Sequence, residues 1–399
     1  MIKILLLSIW LSPVDSTFGR FAQHQDSLLI QAYESLDTAH YRLLLDEFVG
    51  RYDKLGADEK KNFSGYYVNA WYNGCCTYAR KGDKAMALDL FEKAIQAGFI
   101  DYDHILVDKD LETLRQEERF RKSVAGLRSV GDYMYIIRRA GDYNRGDKRA
   151  LPVFTYAAPT DSNLRALKEA FHLDSIAGTG NEASQVINLL HWVHNLVPHD
   201  GNHENPAVRN AMAMIAVCKR DQRGLNCRGL ATVLNECYLA MGFKSRFVTC
   251  LPKDSLKIDP DCHVINMVFL PSLKKWVWMD PTNDAYVMDE TGNLLGPAEV
   301  RERLIAGKML IVNPDANWNH RSSTLKEDYL FHYMAKNLYM LECPVNSTFD
   351  TEGSAPGKTL VYIRLLPLDY FKQSPDRSER SNYITYLTNN PDAFWANPQ

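Results

Sequence analysis

The sequence predicts an α+β protein in two parts: a helical, repeat-containing domain, then a cysteine domain whose nucleophile heads a helix packed on an antiparallel sheet. Three observations predict it. Residues 24–145 lack proline and carry apolar residues at intervals of three and four. From Lys244 onward the pattern changes to short runs rich in Val, Phe, Ile and Trp. Between these stretches, one clean amphipathic helix begins at Cys227.

The chain has 399 residues, 46% of them apolar, and a net charge of −3 from 46 Lys and Arg against 49 Asp and Glu. Such an apolar content excludes bulk disorder, and the charge balance argues against a nucleic-acid partner. At the start, Lys3 precedes the apolar run Ile4 to Leu11 and then polar residues with Pro13, Ser16 and Gly19. That order fits a secretory signal peptide over residues 1–23 and export to a periplasmic or extracellular space. Those eight residues span only ~12 Å as a helix, so no membrane span is expected. The eight cysteines contain no CxxC pair, which excludes a zinc ribbon and a thioredoxin-type motif.

In the helical domain, Trp71, Tyr78, Ala87, Phe91 and Ala94 follow a large-and-small spacing, with Gly82-Asp83 where a turn belongs. This resembles a single tetratricopeptide-like hairpin. It implies a structural domain with one repeat-like unit, and a possible surface for a protein partner. Gly, Asp, Pro and Ala then crowd residues 141–160, which places a boundary before residue 146. Helices are expected from Ala183 to Val197, stopped by Pro198, and from Pro206 to Arg220. Residues 313–325 read as a loop, Tyr329 to Leu341 as a helix, and Leu360 to Leu366 as a strand. Residues 321–399 are expected to form an appendage to the domain of residues 146–320.

The chemistry concentrates between Arg223 and Asp280. Leu230, Val233, Leu234, Cys237, Tyr238 and Met241 mark one face of a helix ended by Gly242, and Cys227 lies at its start. Unpaired N–H groups and the positive helix end favour a thiolate there, and can also receive the oxyanion a thiolate attack creates. A nucleophilic Cys needs a base, and the base an orienting carboxylate. Two alternating runs, His263 to Phe269 and Lys274 to Asp280, flank a turn expected at Leu270 to Leu273. A symmetric hairpin sets His263 opposite Asp280, Ile265 opposite Trp278 and Met267 opposite Trp276, with facing Cβ atoms ~5 Å apart.

The ordered motifs NCRGLA, CHVINMVF and WVWMDPT resemble the transglutaminase-like superfamily, over roughly residues 180–300. The resemblance implies a papain-type fold, with Cys227 as nucleophile, His263 as general base and acid, and Asp280 as orienting carboxylate. It implies an acyl transferase or peptidase/amidase acting on protein or peptide amides through a Cys227 thioester, without a cofactor. Bacterial relatives of this type favour hydrolysis over crosslinking. A second oxyanion donor is expected upstream, with Trp192 and Asn226 as candidates. Cys262 is expected on the opposite strand face, in the core, and Trp276 and Trp278 in packing. The alternative is a non-catalytic peptide-binding or scaffold protein with a degenerate cysteine domain.

One further cluster stands apart. His191, His194, His199 and His203, with Asp200, fall within thirteen residues. Histidine and aspartate are zinc ligands, but HExxH is absent and Pro198 separates the two pairs, so loop residues beside a cleft are favoured over a metal site. No nucleotide-binding fingerprint occurs, and the Asp-rich stretch Asp254 to Asp261 lacks calcium-loop spacing.

Overall fold

In a computed structural model of the protein, residues 17–253, 256, 261–369 and 377–398 are described. The apolar run and the first sixteen residues of the expected signal peptide lie outside them. The chain forms two compact units, Met1–Tyr135 and Ile136–Gln399.

The first unit is helical: α1 (Thr17–Glu34), α2 (Thr38–Tyr52), α3 (Ser64–Lys81), α4 (Lys84–Ala97) and α5 (Glu118–Gly131), with shorter helical segments at Ala57–Asn62, Tyr102–Val107 and Lys109–Leu114 between them. Its core gathers Ala22, Tyr41, Leu45, Phe48, Tyr72, Phe91 and Leu114. Helices α3 and α4 form the repeat-like hairpin. Gly82 ends α3 in the left-handed conformation at φ 89°, which only glycine adopts freely. Asp83 then caps α4 by accepting from Met86 N at 3.1 Å. Ala87, Phe91 and Ala94 are fully buried on the inner face of α4.

The second unit holds α6 (Ser162–Phe171), α7 (Glu182–Leu196), α8 (Ala211–Asp221) and α9 (Cys227–Ala240). Helix α8 begins five residues later than the sequence predicts. Asn210 rather than Pro206 starts it, because the Asn210 side chain accepts from Ala213 N at 2.9 Å. Every residue of α9 from Gly229 to Ala240 is buried. The cause is packing on two sides, by the sheet on one and by α6, α7 and α8 on the other.

That sheet has seven strands: β1 (Ser245–Leu251), β2 (His263–Leu270), β3 (Lys275–Met279), β4 (Met340–Pro344), β5 (Leu360–Leu365), β6 (Arg377–Arg380) and β7 (Tyr383–Thr388). Their spatial order is β6-β7-β5-β4-β1-β2-β3, antiparallel except for the parallel pair β5–β7. The sheet is therefore mixed. Residues 321–399 are not an appendage in this arrangement, since they supply four of its seven strands. Strand β4 pairs with β1, Thr249 opposite Glu342, and so satisfies the backbone edge that β1 would otherwise expose. The helix expected from Tyr329 to Leu341 stops short for the same reason, because Met340 and Leu341 enter β4.

The β2–β3 hairpin is displaced by two positions from the expected register. Met267 faces Trp278 and Phe269 faces Trp276. The turn occupies Pro271 to Lys274, closed by Leu273 N donating to Leu270 O at 3.1 Å, with Lys274 at φ 52°. His263 and Asp280 are consequently not directly opposed. Side chains alternate with a period of two, so an even displacement leaves both on the same face.

Candidate active site

Cys227 is the first residue of α9 and is half-buried. Asn226 precedes it as the helix cap, accepting from Gly229 N at 3.2 Å. Asn205 fixes the cap from behind: its Nδ2 donates to Asn226 Oδ1 at 2.6 Å and its Oδ1 accepts from Asn226 N at 3.1 Å. The first N–H groups of a helix have no intrahelical acceptor, so those of Cys227 and Arg228 belong to the positive end of α9. The Arg228 side chain turns to the sheet, pairing with Glu352 at 2.7 Å and donating to Thr249 Oγ1 at 3.0 Å.

His263 opens β2 and is buried, with Nε2 2.7 Å from Asp280 Oδ2. The imidazole and the Cys227 thiol each shift the other's ionisation, and the Cys227 sulfur lies 4.0 Å from the Cys262 carbonyl oxygen. The Tyr333 ring meets the imidazole edge-on at 5.3 Å between centroids. Asp280 follows β3 and is fully buried, with every oxygen occupied. Oδ1 accepts from Thr282 N at 2.9 Å, and Oδ2 accepts from Asn283 Nδ2 at 3.0 Å and Tyr329 Oη at 2.6 Å. The backbone turns back at once, Asp280 N donating to Ala285 O at 2.8 Å, which brings Thr282 and Asn283 over the carboxylate. Tyr329 and Tyr333 sit on a segment, Glu327–Met334, wound with the wider π spacing.

These contacts set the charges. Burial pushes the Cys227 thiol up, but hydrogen bonds to His199 and His263 outweigh it and bring it down to about 6. Burial pushes His263 down, and the Asp280 carboxylate and Cys227 sulfur outweigh it, raising it to about 10. Burial likewise opposes ionisation of Asp280, yet His263, Tyr329 and Asn283 hold its carboxyl below the usual range. Between those limits the site stores a thiolate beside an imidazolium.

Other expected residues fall elsewhere. Trp192 packs edge-on against Phe171, 5.5 Å between centroids, and Asn226 spends its oxygen on the helix cap. Cys262 is half-buried and packs against the core cluster of Leu251, Tyr339, Met340 and Leu366, and burial raises its thiol to about 11. The histidine cluster disperses. His191 Nδ1 lies 2.7 Å from Asp284 and its Nε2 3.8 Å from Asp315, the group whose ligand atoms converge enough to hold a cation among the described residues. His194 is buried between Pro281 O and Asn317 Oδ1, each at 3.0 Å. His203 is exposed, 2.7 Å from Asp200. His199 alone reaches Cys227.

Residues 170–281 match the model of the transglutaminase-like superfamily. All of Cys227, His263 and Asp280 lie within that span. The protein thus has an N-terminal helical region followed by a transglutaminase-like domain with a mixed sheet. Members of this superfamily are in general cysteine-dependent enzymes that act on proteins or peptides. Among curated proteins, none matches the chain. Among solved structures, a candidate cysteine protease from Cytophaga hutchinsonii is similar at 16% identity and a TM-score of 0.24. The likeness covers 42% of this chain and 56% of that one.

Several residues of the transglutaminase-like domain escaped the sequence reading. Asn283 carried a faint signal, since Asn three residues after an Asp in DPTN is a turn pattern. Tyr329, Tyr333 and Asn205 carried none, because each reaches the site from a distant element.

Proposed function

We propose that the protein is a thiol hydrolase of protein or peptide amides, working through a thioester on Cys227. One observation carries this reading: a cysteine at the positive end of a buried helix has its thiol held low beside an imidazole whose Nε2 meets a buried carboxylate at 2.7 Å.

In the first half-reaction the Cys227 thiolate attacks the amide carbonyl carbon and the C=O electron pair moves onto oxygen. The oxyanion collapses, the C–N bond breaks, and the His263 imidazolium gives its proton to the leaving amine. Neutral His263 then takes a proton from water as the hydroxyl adds to the thioester, and the second oxyanion collapses to expel the Cys227 thiolate, which restores the thiolate beside the imidazolium. Asp280 stays ionised throughout and orients the ring. Water as acceptor is supported by the exposure around the sulfur: Cys227 and His199 are half-buried and Trp318 is 37% exposed. Amine transfer requires an acceptor site that shields the thioester from water.

The test is incubation with a peptide library, with and without a primary amine, read by mass spectrometry. Cleaved peptides and an acyl adduct on Cys227, both abolished in Cys227→Ala, are expected. Amine incorporation without cleavage would replace hydrolysis by crosslinking. Binding without either product, unchanged in Cys227→Ala, would favour the peptide-binding scaffold.

A further inference from the structure

His199 meets the nucleophile through an unusual amount of local scaffolding. Its residue pairs in parallel with Leu225, two positions before Cys227. Leu225 N donates to Pro198 O at 3.1 Å and Asp200 N to Leu225 O at 2.7 Å. The two backbones approach so closely that a Cβ on Gly224 would lie 2.3 Å from Pro198 O. On the far side, Asn319 grips both backbone groups of His199, accepting from its N–H at 2.7 Å and donating to its C=O at 2.9 Å. The neighbouring Trp318 indole N–H donates to His199 Nδ1 at 3.2 Å.

The last contact decides the chemistry. An indole N–H is a donor only, so Nδ1 must accept and the ring proton sits on Nε2. The site therefore holds two imidazoles backed in opposite senses. His263 has a carboxylate behind it, which favours the charged ring and suits proton transfer. His199 has a donor behind it on Nδ1, which leaves Nε2–H on the side of the ring away from Trp318, and the imidazole acts on the Cys227 thiol.

We propose that His199 is the second oxyanion donor of the thiol reaction, its Nε2–H receiving the carbonyl oxygen as Cys227 attacks, with Trp318 setting the tautomer. The inference rests on the thioester reading above. As the Cys227 Sγ–carbon bond forms, the C=O π pair moves to oxygen, and that oxygen takes hydrogen bonds from His199 Nε2–H and from the first N–H groups of α9. When the C–N bond breaks, the pair returns to the carbonyl. His199 keeps its proton throughout, and His263 supplies the one the amine takes. Trp192 packs against Phe171 and Asn226 Oδ1 caps α9; what singles out His199 is the Trp318 donor on Nδ1, which fixes the ring proton on Nε2.

The experiment compares two reactions of Cys227 at pH 9, in the full chain. Iodoacetamide alkylation is a displacement at carbon and forms no oxyanion; acylation by p-nitrophenyl acetate forms one. In His199→Ala, acylation is expected to fall about 10²–10³-fold, while alkylation stays within about threefold because the thiolate is already formed at that pH. His199→Gln, whose amide N–H can donate, is expected to recover part of the loss. Trp318→Phe is expected to give a smaller fall in acylation alone. Unchanged acylation in His199→Ala, or an equal fall in both reactions, would overturn the assignment. Failure of the thioester reading looks different: the wild-type protein gives no acyl adduct on Cys227, or His263→Ala leaves the adduct unaffected.

Discussion

Burial of an imidazole ordinarily removes its charge, yet His263 has a carboxylate at Nε2 and the Cys227 thiol beside it, and both favour the cation. The two shifts define a pH window. Below about 6 the Cys227 thiol is protonated and inert; above about 10 the His263 proton that the leaving amine needs is gone. Iodoacetamide alkylation of Cys227 is therefore expected to rise through about pH 6 and stay high, while turnover rises there and falls again near pH 10. In His263→Ala the alkylation limb is expected to move up toward the ordinary thiol range of about 8.5, slowing alkylation at pH 7 by about tenfold or more. Tyr329→Phe removes a donor from a fully buried carboxylate and leaves Trp278 Nε1 without its 3.1 Å acceptor. The expected cost is about 1–3 kcal/mol, read as a lower midpoint in urea unfolding.

At the scale of elements, the site depends on how closely two backbones approach beside α9. A Cβ at Gly224 meets the backbone O of Pro198 and the Cβ of Asp200 rather than the end of a flexible side chain. Gly224→Ala is thus expected to push residues 198–200 away, lowering the melting temperature and slowing turnover together; a variant with wild-type values of both would refute this. The same comparison shows what was legible in the sequence. Helix α9 was readable because its pattern is local and periodic, and so were β2 and β3. The hairpin register was off by two because turn length is not encoded in alternation, and the error was harmless because parity decides the face. His199 was visible only as one histidine among four. Its contact with Cys227 rests on a single bridged residue pair, and Trp318 and Asn319 arrive from a small hairpin, Asn317–Trp318 with Ser322–Ser323, in a stretch that reads as a loop.

At the scale of the molecule, the transglutaminase-like span and its sheet do not end together. The family match stops at residue 281, whereas β4 to β7 lie beyond residue 339. Local pattern could show that Leu360 to Leu366 is a strand, but not that β4 would insert beside β1, because pairing across about ninety residues leaves no trace in either strand. A chain ending at residue 320 retains Cys227, His263 and Asp280 but exposes the β1 edge and loses Tyr329 and Tyr333. Such a chain is expected to aggregate on expression, and its soluble fraction to lack alkylation of Cys227 at pH 6.5. Rapid alkylation of a soluble 1–320 fragment would show that the C-terminal strands are dispensable.

The pairing of β1 with β4 also orders events in time. A ribosome makes the nucleophile, base and carboxylate first, and β4 some 64 residues after Asp280, a delay of about 3–13 s at ordinary translation rates. Tyr329 and Tyr333, the neighbours of Asp280 and His263, are made shortly before β4 and so arrive only near the end of that delay. On the proposed reading, a nascent chain that has made Cys227, His263 and Asp280 still lacks the strand that completes the sheet beside β1.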